Sequence, residues 1–82
     1  RYASSGEINT TVADIGKVIA QIGRDYADHT QDHLDGLTVD CGSWWFNVRA
    51  SNTEPLLRLN LEASTRDECD NHVVELLASI TA

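Results

Sequence analysis

At 82 residues the chain has room for one small domain with a single core. Its 13 acidic and six basic side chains give a net charge of −7, which argues against a nucleic-acid footprint, because that needs clustered positive charge. No apolar run reaches membrane length and no signal-peptide core opens the chain, so the expectation is a cytoplasmic protein with no membrane partner.

In chain order, residues 1–9 read as a hinge followed by a short strand near Glu7 to Asn9, and residues 10–82 as the domain proper. Val12, Ile15, Ile19, Ile22 and Tyr26 recur at spacings of three and four, with Val18 on the same flank, which predicts an amphipathic helix over 11–26. Ala27 to Asp35 collects Asp28, His29, Asp32 and His33. The pair of histidines raises a metal site, but the run lacks the ligand number and spacing of a zinc or calcium motif, and it reads as a solvated loop. Asp35-Gly36 marks a turn. Leu37, Val39 and Cys41 then alternate with polar residues in a half-buried strand that turns at Gly42-Ser43.

The return strand places Trp44, Phe46 and Val48 on one face and Trp45, Asn47, Arg49 and Ser51 on the other. In the next, Leu57, Leu59, Leu61 and Ala63 alternate with Leu56, Arg58, Asn60 and Glu62. Thr65 and Glu68 form a capping-box pattern ahead of a closing helix with Cys69, Val73, Leu76, Leu77 and Ile80 on its apolar stripe. The fold class is α+β: an antiparallel sheet of about four strands with two helices packed on one face. Cys41 and Cys69 fall in different elements and read as small, reduced, buried residues. His72 and Ser4-Ser5-Gly6 have no catalytic setting, and Asn9-Thr10-Thr11 is a chance glycosylation sequon.

The stretch from Arg49 to Pro55 carries the chemistry. A guanidinium fork at Arg49 precedes hydroxyl, amide and hydroxyl side chains at Ser51, Asn52 and Thr53, the donor set that holds a multi-oxygen anion. Asn52 tolerates a left-handed backbone and Pro55 stiffens the loop exit. On residue chemistry alone the same cluster also fits an ordinary turn. Trp45 shares a face with Arg49 and suits either ligand stacking or packing against a neighbour. Glu54 would repel a phosphate and is not counted as a ligand.

The segment Asn47-Val48-Arg49-Ala50-Ser51-Asn52-Thr53-Glu54-Pro55-Leu56-Leu57-Arg58-Leu59-Asn60-Leu61-Glu62-Ala63 closely resembles the phosphate-binding segment of the C-terminal, fourth domain of the α-D-phosphohexomutases. Tyr2-Ala3-Ser4-Ser5-Gly6-Glu7-Ile8-Asn9 resembles the hinge into that domain, and the phosphomannomutase/phosphoglucomutase branch is the nearest match. The resemblance implies a TATA-binding-protein-like fold and a role in moving a phosphoryl group between the 1- and 6-positions of a hexose. Arg49, Ser51, Asn52 and Thr53 would grip the phosphate that is not transferred. It also implies that a phosphoserine, Mg²⁺ and a hexose bisphosphate activator act in the three other domains of a longer chain. None of these would be held tightly by this domain, which alone should be monomeric and inactive.

Two alternatives stay open at this point. Phosphoglucosamine mutase usually has glycine where Asn52 stands, and a free-standing α+β module would bind a phosphorylated small molecule or a protein without catalysis.

Overall fold

The computed structural model describes residues 3–33, 36–51 and 56–81, the side chain of Thr81 excepted. Among these residues the elements run β1 (Ala3–Ser4), β2 (Ile8–Thr11), α1 (Ile15–Asp25), β3 (Thr30–Asp32), β4 (Leu37–Asp40), β5 (Trp44–Ala50), β6 (Leu56–Ala63) and α2 (Arg66–Thr81). All six strands join one antiparallel sheet in the order β1-β6-β5-β4-β3, with β2 also on β6.

β1 and β2 form one interrupted edge along β6. Ser4 pairs with Glu62 while Ile8 pairs with Leu59, so the edge carries one more residue than its partner across Ser5 to Glu7. Ser5 bridges the gap: its N–H donates to Leu61 O at 2.8 Å, and its hydroxyl oxygen accepts from Leu61 N at 3.0 Å. A bulge of this kind keeps the ladder's polar groups satisfied while the strand bends.

Alternation in β5 and β6 sorts the two faces. Phe46, Val48, Leu57, Leu59, Leu61 and Ala63 are all 0% exposed, whereas their neighbours in sequence are half-buried or exposed. Both helices cover that buried face, with Ile22 from α1 and Cys69, Leu76 and Ile80 from α2 completing the core. The polar face of the sheet is left uncovered by either helix.

The first helix begins later than its apolar periodicity suggests. Asp14 caps it, accepting from Lys17 N at 3.0 Å, so Thr11 belongs to β2 and Val12 enters the core ahead of the helix. The cap of the closing helix is where the sequence puts it, with Glu68 N donating to Thr65 Oγ1 at 3.2 Å.

The stretch 27–35 is not wholly loop. Residues 30–32 pair with β4 as an edge strand. The side-chain amide of Gln31 donates to the carbonyls of Gly23 and Tyr26, both at 2.9 Å, and so satisfies the C-terminal end of α1. His29 and His33 flank that strand and are exposed. The four-strand estimate misses this strand and the split edge; the architecture itself is as expected.

Candidate phosphate-binding site

The polar face of the sheet is organised in rows by the register. Arg49 on β5 stands opposite Arg58 on β6, and Asn9 on β2 stands opposite Arg58 from the other side. Two residues along, Asn47 faces Asn60, with Thr38 beyond Asn47 on β4. Two residues further, Trp45 faces Glu62, flanked by Ser4 and Asp40. The face therefore runs from cationic, through neutral amide, to aromatic and acidic.

The cationic row lies at the end of the hairpin that carries the Ser51 to Pro55 segment. Ser51 N donates to Leu56 O at 2.9 Å, which closes the hairpin one pair beyond Ala50–Leu57 and fixes Ser51 as its last anchored residue. Asn52 and Thr53, with Glu54 and Pro55, lie outside the described residues. The structure thus brings Arg49 and Ser51 to one end of β5 and provides no geometry for the other two sequence candidates.

Arg58 is the residue that reading the loop alone passes over. Two arginines directly opposite one another repel, so their juxtaposition is favoured when an anion sits between or above them. Arg58 is restrained by Glu7 at 3.9 Å, and its Nε is buried without a hydrogen-bond partner among the described residues. The signal was in the sequence: Arg49 and Arg58 fall on the polar phase of two strands joined by one short connection.

Gly36 adjoins Arg49 on the β4 side. Its φ is +70°, and a Cβ there would meet Val48 O and come within 2.6 Å of Arg49 Cβ. Glycine is required by both the backbone conformation and the approach.

Behind the sheet, Trp44 stacks on His72 of α2, with ring centroids 3.7 Å apart and planes 5° from parallel. Tyr26 packs edge-on to Trp44 and Phe46, and burial there raises its phenol pKa. These rings tie both helices to β5 and hold the strand that carries Arg49. Cys41 and Cys69 are both free thiols; burial, then Asp40, pushes Cys41 up to about 11.

Among the described residues no three His, Cys, Asp or Glu side chains cluster to hold a metal. No helix among them is long and apolar enough to cross a membrane.

The chain is an α+β domain with an arginine pair and a serine at one hairpin end. The phosphoglucomutase/phosphomannomutase C-terminal domain family matches residues 7–79, and the chain belongs to it. It is 42% identical to a phosphomannomutase of Methanocaldococcus jannaschii over the whole of this chain and 19% of that protein. Identity is 47% to a phosphohexose mutase of Xanthomonas campestris pv. campestris and 42% to a phosphomannomutase of Salmonella typhimurium, each over 76% of this chain and 14% of the relative. The chain thus spans less than a fifth of the length of these relatives.

Proposed function

We propose that this domain grips the non-transferred phosphate of a hexose phosphate, as the C-terminal domain of a phosphomannomutase/phosphoglucomutase that moves a phosphoryl group between the 1- and 6-positions. The observation that carries the reading is the placement of Arg49 beside Ser51 and opposite Arg58 at the end of a hairpin, in a chain otherwise strongly acidic. Arg49 supplies a planar fork for two phosphate oxygens, Arg58 a second positive charge, and Ser51, Asn52 and Thr53 the hydroxyl and amide donors.

Such a grip works through differential binding. Energy from a phosphate that does not react orders the closed complex around the one that does, raising kcat as well as affinity, and closure keeps water from the phosphorylated intermediate. The hinge into the domain falls within residues 1–9, which also carry its first short strand. Mg²⁺, a phosphoserine and the hexose bisphosphate activator act in the preceding three domains of the full-length, cytoplasmic enzyme. The isolated domain is a monomer without turnover, and its partners are the sugar phosphate and those domains, not nucleic acid or membrane.

The test is kinetic, in the full-length enzyme with magnesium and activator saturating. Charge-assisted hydrogen bonds of about 1.5–3 kcal/mol correspond to a roughly ten- to hundredfold loss of kcat/KM in Arg49→Ala, with Arg49→Lys falling between it and wild type. Wild-type kinetics in Arg49→Ala would remove the assignment.

A further inference from the structure

The ion pair of Glu7 with Arg58 joins two parts of the domain that have different tasks. Arg58 faces Arg49 across the sheet and belongs to the cationic row. Glu7 closes the bulge between β1 and β2, directly after Gly6, which holds a left-handed φ of +67°. The pair is loose. At 3.9 Å it lies beyond hydrogen-bond reach, both side chains are more than a third exposed, and Arg58 Nε is buried with no hydrogen-bond partner among the described residues. The contact is one of charge, and the guanidinium keeps a donor unused.

We infer that Glu7 is a built-in competitor of the phosphate: its carboxylate neutralises Arg58 in the ligand-free domain and gives it up when a phosphate binds, so that occupancy of the grip is passed to the segment containing the hinge. The inference rests on the phosphate reading above and adds a residue that regulates the same site.

Charge sets the order of preference. Two arginines opposite one another on a sheet repel, and Glu7 supplies a counter-charge for one of them. A phosphate brings up to two negative charges and oxygens placed for a guanidinium fork at hydrogen-bond distance. It therefore displaces a half-solvated carboxylate from Arg58, and the two anions repel one another if both stay.

Hydrogen bonds decide where the change goes. Ser5 is fixed to Leu61 through both its N–H and its hydroxyl, and Ser4 O accepts from Arg66 Nη2 at 3.1 Å. Between that anchor and the β2 ladder lie Gly6 and Glu7. The bonds of Gly6 are to its neighbours Ser4 and Ser5, and beyond its chain neighbours no atom lies within 4 Å of a Cβ placed on it, so the backbone has room to turn there. By linkage, a phosphate that draws Arg58 off Glu7 biases the hinge, and the hinge biases phosphate affinity by the same factor.

The experiment is a site-resolved NMR titration of the 82-residue chain with inorganic phosphate, in wild type, Glu7→Gln and Glu7→Asp. In wild type the Gly6 and Glu7 amides should shift together with Arg49 and Ser51, with one common Kd. Glu7→Gln should tighten phosphate by roughly two- to fivefold and remove the phosphate-linked shift of Gly6, and Glu7→Asp, which keeps the charge, should fall between the two. Asp67→Asn, on the helix behind the sheet, changes net charge equally and should leave affinity within about 1.5-fold. Unmoved Gly6 and Glu7 amides in wild type, a Glu7→Gln affinity equal to or below wild type, or an equal gain in Asp67→Asn would overturn the competition and leave the phosphate grip standing. No shift at Arg49 and Ser51 would overturn both.

Discussion

Arg49 and Arg58 are direct cross-strand partners on the uncovered face of the sheet, a like-charged pair in a chain of net charge −7. Such a pair costs a few tenths to about 1 kcal/mol. On the Arg58 side, the Glu7 ion pair at 3.9 Å, with both side chains more than a third exposed, offsets only a fraction of it. In phosphate-free, low-salt buffer Arg58→Gln should therefore unfold at the wild-type temperature or slightly above it. Phosphate should stabilise the wild type, by about 2.7 kcal/mol at a hundredfold excess over Kd, and most of that gain should vanish in Arg58→Gln. Thermal unfolding with and without phosphate reads both effects; an undiminished phosphate shift in the variant would remove Arg58 from the site.

Gly36→Ala should destabilise the domain and weaken the site together. A left-handed residue with a Cβ costs about 1–2 kcal/mol, and the added methyl collides with Val48 O and Arg49. Gly42→Ala is the control: φ is +91°, but nothing lies within 4 Å of a Cβ there, so only the conformational cost applies. Denaturant unfolding and phosphate titration of the two variants should show the affinity loss in Gly36→Ala alone.

How much of this was legible in the sequence follows from which residues carry an apolar signal. The phases of β5 and β6 and the stripe of α2 were readable because alternation and periodicity record burial, and Leu57, Leu59, Leu61 and Ala63 are buried as their spacing implies. β3 was not, because Thr30, Gln31 and Asp32 are polar throughout and the strand is held by backbone pairing and by Gln31 capping α1. The start of α1 is hidden in the sequence because Val12 continues the helical spacing while being buried from a position ahead of the Asp14 cap. Arg49 and Ser51 could be named from chemistry; the Arg49–Arg58 partnership needed the register.

Cysteine reactivity should separate the two thiols. Burial and then Asp40 raise Cys41 from its ordinary 9.0 to about 11, while Cys69 is 0% exposed with Sγ 4.0 Å from Leu61 O. Alkylation of Cys41 in the folded chain should be slow at pH 8 and rise toward pH 11, and Cys69 should react only on unfolding. Between about pH 9 and 11 the unfolded chain loses the Cys41 proton while the folded chain keeps it, so stability should fall as pH rises through that window. Equal, rapid labelling of both cysteines at pH 8 would contradict this.

The most direct test of the phosphate grip is a crystal structure of the full-length protein with a bound hexose phosphate. The account predicts phosphate oxygens about 2.7–2.9 Å from the Arg49 guanidinium, with the Ser51 hydroxyl and Arg58 on the same group. A substrate fully bound in the closed protein with no phosphate oxygen in hydrogen-bond reach of Arg49 or Ser51 would contradict it.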